Sequence, residues 1–300
     1  MHAWAHDIYS YPLPAGHRFP LPKYRLVREG AEAEPAIDVH PAPEATWEQL
    51  ALTHTPGYLE RMRSGGLERR AELALGLPWS PELVTRARRA VGATIAAARA
   101  ALDDPSGVAA NLGGGTHHAF PDEGRGFGVF NDVVTALRTL RSERPALRRA
   151  LVIDLDVHQG DGTHACLAGD LDPEAFTLSI NGFRNYPFRR VPGDLELDLP
   201  DGTDDAQYLE GLARLLPEAI ERARPQLAFL LAGADPYEGD RLGRLSLTKV
   251  GLAERDRFVR DTLAAEGIPV CVTLAGGYAE PIEHTVEINL TTLRVFSGAL

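Results

Sequence analysis

The segment Leu151–Gly162, LVIDLDVHQGDG, places two aspartates and a histidine at alternate positions at the end of an apolar run. Side chains alternate between the two faces of a strand, so Asp154, Asp156 and His158 are expected on one face and Ile153, Leu155 and Val157 on the other. Carboxylates are seldom buried unless they are paired or bind metal. Asp and His donors suit zinc, iron or manganese, and two of them with a third from elsewhere would leave an ion an open coordination position. The competing reading is a polar strand end that meets helix termini. Three further segments pose similar choices. GGGTHH (113–118) offers His117 and His118 as metal ligands, a proton-transfer pair or polar surface, with Asp154 and Asp161 available to fix a tautomer. AGADPYEGD (232–240) offers Asp235 as a third ligand or as part of a solvated Asp-Pro turn, with Asp240 less clear. LAGGYAE (274–280) offers Tyr278 as a hydroxyl that could reach a reacting oxygen, or as an ordinary packed tyrosine.

These segments need a frame. Strands are expected at 107–111, in ALVIDLD, FTLSI and QLAFLLAG, and in IPVCVTLAGG. Helices are expected at Pro43–Leu52, after His54, at Pro81–Leu102 behind the cap Ser80, from Asn131, at Asp204–Arg224, at Thr248–Glu266 and from Ala279 onward. A short strand is expected around Asp7–Tyr11, with the rest of the first forty residues as loop. Short apolar runs alternating with helices predict an α/β fold, a mostly parallel sheet covered on both faces, in a single domain over residues 1–300. Ligands of such sheets sit beyond the carboxyl ends of the strands, where all four segments fall.

The bulk properties narrow the function. A net charge of −11 argues against nonspecific nucleic-acid binding. No apolar run approaches a membrane span, the start of the chain lacks a signal-peptide pattern, and two cysteines make no disulfide framework, so a cytoplasmic protein is expected.

Taken together, GGGTHHAFPDEGRGFGVFND (113–132), LVIDLDVHQGDGT (151–163), GADPYEGDRLGRLSLT (233–248) and LAGGY (274–278) resemble the zinc-dependent histone deacetylase family of the arginase–deacetylase fold. YPLPAGHRFPLPKY and GLPWSPEL are most similar to its class IV branch and bacterial relatives. The resemblance implies an open parallel sheet of about eight strands flanked by helices. It implies Asp156, His158 and Asp235 as ligands of Zn2+, with Fe2+ served by the same donors. It implies His117 and His118 as the paired histidines, oriented by Asp154 and Asp161, and Tyr278 as the group that binds the substrate carbonyl. Gly126 and Phe127 would form part of an acyl-lysine channel, with Tyr186 on the opposite wall. Asp154, Asp156, His158, Ser179 and Ile180 would hold a structural K+. His17 and Arg18 fall near the position of a basic residue beside an inner cavity. The implied activity is removal of an acetyl or longer acyl group from a lysine side chain or a small amine. Gln159, where many members carry a second histidine, lies outside the ligand set, and residues 183–194 depart from the longer glycine-rich loop of the nuclear enzymes. The alternatives are an acetylpolyamine amidohydrolase, a binuclear arginase-like or agmatinase-like hydrolase, and a noncatalytic acyl-lysine or metabolite reader.

Overall fold

The computed structural model describes residues 1–7, 10–168 and 175–300. The strands are β1 (His2–Ala5), β2 (Asp38–Pro41), β3 (Val108–Asn111), β4 (Ala150–Asp154), β5 (Ala175–Gly182), β6 (Leu195–Leu199), β7 (Leu227–Ala232) and β8 (Val270–Leu274). They form one sheet in the order β2-β1-β3-β8-β7-β4-β5-β6, and every pairing is parallel. The helices are α1 (Pro22–Glu32), α2 (Trp47–Ala51), α3 (Pro56–Ser64), α4 (Arg69–Leu75), α5 (Pro81–Asp103), α6 (Asp132–Glu143), α7 (Asp161–Leu167), α8 (Asp205–Ala223), α9 (Lys249–Ala265) and α10 (Glu283–Ser297).

The central strands β4, β7 and β8 are buried at every position, yet period two still sorts them. Leu151, Ile153, Ala228 and Leu230 join a core with α1, α8, α9 and α10. Ala150, Val152, Leu227, Phe229 and Leu231 join the opposite core with α5 and α6. Each fully buried Leu, Ile or Phe in these layers contributes roughly 1.5–3 kcal/mol. The helices begin where their caps dictate. The side chains of Ser80, Asn131, Asp204 and Thr248 each accept a first-turn backbone N–H.

Several expectations are corrected. The first strand is His2–Ala5 rather than Asp7–Tyr11, because its residues pair between β2 and β3; residues 8 and 9 of the expected strand lie outside the described residues. The helix expected at Pro43–Leu52 shortens to α2, behind a capping box at Thr46 and Gln49. Residues 22–32 are helix α1, and β2, β6, α4 and α7 are additional. The β4 ladder ends at Asp154, so Asp156 and His158 lie beyond regular strand. Their alternation persists nonetheless: Leu155 N–H donates to Leu231 O, and Ile153, Leu155 and Val157 all sit in one core.

The strands that carry the four segments, β3, β8, β7 and β4, are consecutive in the sheet. Being parallel, they release their following loops at one rim.

Candidate active site

The loop after β3 turns back through Gly113–Gly115 to the two histidines. Asp132, buried in the first turn of α6, holds this loop. Its Oδ2 accepts Gly115 N–H at 3.0 Å, and its Oδ1 accepts Thr116 N–H and the Thr116 hydroxyl, each at 2.9 Å. His117 Nδ1 lies 2.7 Å from Asp154 Oδ2 at the end of β4. His118 Nδ1 lies 2.6 Å from Asp161 Oδ1 at the start of α7. A carboxylate can only accept, so both Nδ1 atoms carry hydrogen and both Nε2 atoms are released toward the cavity.

The two environments differ. Burial pushes His117 down, but the charges of Asp154 and Asp156 outweigh it and raise its pKa to about 9. Burial also pushes His118 down, and the neighbouring positive His117 adds to the effect. The single bond to Asp161 does not compensate, and the pKa falls to about 4. The ring centroids are 4.2 Å apart.

Asp156, His158 and Asp235 converge from the ends of β4 and β7, with ligand atoms within 4.8 Å of one another. His158 Nδ1 is 2.9 Å from Asp156 Oδ1 and 3.2 Å from Asp235 Oδ2. Burial would raise Asp156, but the imidazoles of His117 and His158 hold it low. Burial and the adjacent Asp156 push Asp235 up. Asp235 Oδ2 is buried and accepts no hydrogen bond, an orphaned acceptor that a cation would satisfy. The other Asp235 oxygen accepts Val157 N–H, and Asp156 Oδ2 accepts Gly276 N–H at 2.8 Å. A Cβ at Gly276 would fall 1.9 Å from Asp235 Oδ2, so no side chain fits beside this donor set. One nitrogen and two carboxylates, buried and fixed by backbone N–H groups, fit a zinc or iron(II) ion.

His117, His118, Asp156, His158 and Tyr278 line a cavity of about 710 Å³. Asp154, Asp161 and Asp235 stand behind that wall. Gly126, Phe127 and Tyr186 also face the cavity. The Tyr186 ring lies 4.8 Å from His118, and Phe127 lies 6.1 Å from Tyr278. Gly126 and Phe127 both have positive φ, 52° and 69°. The last carbonyls of α4, Ala74 and Leu75, accept their N–H groups and hold that strained pair. A Cβ at Gly126 would meet His118 Cδ2 at 2.6 Å. Tyr278 N–H donates to Asp240 Oδ2 at 2.6 Å, and burial drives the phenol well above its usual range, so it remains a donor. Ser179 is the ladder partner of Asp154, but neither Ser179 nor Ile180 lines the cavity. Gln159 faces away, bonded through its amide to both backbone groups of Val191.

Some contributors carry no local signal in the sequence. Arg255 on α9 is fully buried, and its Nη1 donates to Gly233 O at 2.7 Å and Leu155 O at 3.3 Å, each next to a segment end that bears a ligand. Lys23 and Arg86, both buried, line the cavity; of the expected basic pair only Arg18 lines it, and Arg18 is exposed. A Lys or Arg on a helix ordinarily reads as solvated surface. Only the helical pattern of residues 22–32, with Pro22 in the first turn and Arg25–Glu29 and Arg28–Glu32 pairs, could have placed Lys23 on a buried face.

The sequence model of the histone deacetylase domain matches residues 17–293. The chain belongs to the histone deacetylase family. It is 43% identical over 286 residues to an uncharacterized protein of Picosynechococcus sp., covering 94% of this chain and 93% of that one. It is 31% identical over 278 residues to histone deacetylase 2 of Arabidopsis thaliana, covering 89% and 70%. The crystal structure of a histone deacetylase homolog from Aquifex aeolicus superimposes with a TM-score of 0.82 at 26% identity, covering 99% of this chain and 83% of that one. The single-domain, eight-stranded parallel architecture is thus that of the arginase–deacetylase fold. Among the described residues no helix is long and apolar enough to cross a membrane.

Proposed function

We propose that the whole chain is one catalytic domain, a metal-dependent amidohydrolase that removes an acetyl or similar acyl group from a lysine side chain. The observation that carries this reading is the Asp156-His158-Asp235 donor set beside two adjacent histidines that line the same cavity, each held at Nδ1 by its own carboxylate. Against burial, the charges of Asp154 and Asp156 push His117 up, while burial and His117 push His118 down, environments that suit the first to an acid's role and the second to a base's.

Asp156, His158 and Asp235 would hold the ion, and when bound it supplies Lewis-acid activation of water and of the amide carbonyl. His118 Nε2 is unprotonated at neutral pH and accepts the proton of the attacking water, while Asp161 fixes the ring. His117, protonated and held by Asp154, stabilises developing negative charge and returns a proton from Nε2 to the leaving amine. The Tyr278 hydroxyl donates to the carbonyl oxygen as it gains charge. Gly126, Phe127 and Tyr186 enclose the lysine methylenes and exclude water. The products are a free amine and a carboxylate, which the buried cations Lys23 and Arg86 suit. The proposed chemistry requires no ion at Asp154, Ser179 and Ile180.

The rim favours lysine over a polyamine. Arg18, Arg184, Arg241 and Arg244 line the cavity, and its one acidic lining residue among those described is Asp156. The distal ammonium groups of a polyamine would find no carboxylate partner there. The resemblance to the class IV branch is compatible with this assignment, and the buried free thiols Cys166 and Cys271 fit a reducing, cytoplasmic setting.

The test is hydrolysis of a panel of acyl-lysine peptides and acylpolyamines by the zinc-loaded and the anaerobically iron-loaded protein. Preferential turnover of the peptides is expected. Preference for acylpolyamines would overturn the substrate assignment, and stable binding of acyl-lysine without hydrolysis would show a reader instead.

A further inference from the structure

A second cluster of metal-type donors lies outside the cavity, at the start of the sheet's edge. β1 and β2 pair in parallel register with His2 opposite Asp38 and Trp4 opposite His40. His2, Asp38 and His40 therefore project from one face, His40 as the diagonal neighbour of His2. His2 Nδ1 lies 2.8 Å from His40 Nε2 and 3.3 Å from Asp38 Oδ2, and His40 Nε2 lies 3.2 Å from the same oxygen. Ligand atoms on a tetrahedral zinc ion at about 2.0–2.1 Å stand roughly 3.3 Å apart, so the three atoms already occupy nearly one face of that tetrahedron. The outer nitrogen of His2 is also provided for. His2 Nε2 lies 3.7 Å from Asp104 Oδ2, beyond α5, and the other Asp104 oxygen accepts Ser106 N–H at 2.8 Å. At that distance the carboxylate acts on the His2 ring through its charge, which favours a cation on the opposite nitrogen.

The geometry points to a second zinc-type site formed by His2 Nδ1, His40 Nε2 and Asp38 Oδ2, with Asp104 supporting His2. It is separate from the cavity by construction. Parallel strands leave their beginnings and their ends on opposite rims, and His2 and Asp38 open their strands whereas the cavity lies beyond strand ends. The partial exposure of all three residues leaves a fourth position to water. The role follows from the topology. β2 is an edge strand held by β1 alone, and an ion at this point ties β2, β1 and the turn into β3 together. The ion therefore stabilises the edge and takes no part in turnover.

Zinc stoichiometry after equilibrium dialysis, measured by elemental analysis, tests this in five forms of the full chain. Wild type is expected to hold one zinc more than His40→Ala, and Asp156→Ala is expected to retain one zinc that Asp156→Ala/His40→Ala loses. His40→Ala keeps wild-type turnover. Zinc raises the melting temperature of Asp156→Ala but not of the double variant, and Asp38→Asn, which preserves side-chain size, reproduces the loss if His40→Ala folds poorly. Equal zinc content in wild type and in both His40→Ala and Asp38→Asn would overturn the site, as would zinc-free Asp156→Ala.

Discussion

Tyr278 has a narrow assignment, a hydroxyl that donates only as charge develops on the carbonyl oxygen. Tyr278→Phe is therefore expected to keep fold and bound metal while turnover falls about 100- to 1,000-fold, the usual effect of losing one such donor. Steady-state kinetics on an acyl-lysine peptide, with metal content measured in parallel, checks it; turnover within a fewfold of wild type would remove Tyr278 from the chemistry. Asp161 acts through His118. Asp161→Asn can donate to Nδ1 and so stabilise the tautomer that carries hydrogen on Nε2, which cannot accept a proton. A fall of roughly 100- to 10,000-fold in kcat with little change in KM is expected, in the range of general-base catalysis. At this scale the sequence made the candidates visible, because Asp, His and Tyr at strand ends are conspicuous, but local pattern left each open to a purely structural role, and only the family resemblance assigned them parts. The supports were not. Asp132 reads as an ordinary helix-start acid until its four hydrogen bonds to Thr94, Gly115 and Thr116 are seen.

Among the elements, α9 clamps the two segments that carry the candidate ligands. Arg255 bonds the carbonyls of Leu155 and Gly233 and also Asp256, whose other oxygen accepts the Thr292 hydroxyl of α10 at 2.6 Å. Arg255→Met leaves Asp256 buried without its countercharge, a loss of about 3–5 kcal/mol. Urea unfolding is expected to show that loss, and zinc binding at the cavity to weaken with it; an unchanged midpoint would refute the clamp. Long elements with caps and steady apolar periodicity, such as α5 and α8, were readable in the sequence. Besides the misplaced β1, the missed strands are the sheet's two edges. β2 is short and polar because little of it is buried, while β6, LELDL, does alternate as a half-buried strand should.

For the whole molecule, the order β3-β8-β7-β4 explains why four segments spread over 166 positions, from 113 to 278, share one cavity. Parallel alternation announced the sheet, but no local pattern encodes which strands are neighbours. Stability carries its own pH signature. His54 is buried, donates from Nδ1 to Phe120 O and accepts Asn131 N–H at Nε2, each at 3.0 Å, so a second proton would face a donor. Burial lowers its pKa to about 4, and His118 is lowered similarly. Both are more readily protonated in the unfolded chain, whose histidines titrate near 6.5. Their contribution is therefore complete above that pH and falls as pH drops from about 6.5 to 4, by up to about 1.4 kcal/mol per group per pH unit. Urea midpoints are expected to decline from pH 7 to pH 5, and a flat profile would contradict these environments.

Amide hydrolysis is expected to depend on an ion held by Asp156, His158 and Asp235. The most direct measurement is carboxylate release from an acetyl-lysine peptide by wild type and Asp235→Ala, each stripped with chelator and then titrated with zinc. Activity that vanishes on stripping and returns with zinc in wild type alone is the expected result. Hydrolysis that survives stripping, or that zinc restores equally in Asp235→Ala, would contradict the account.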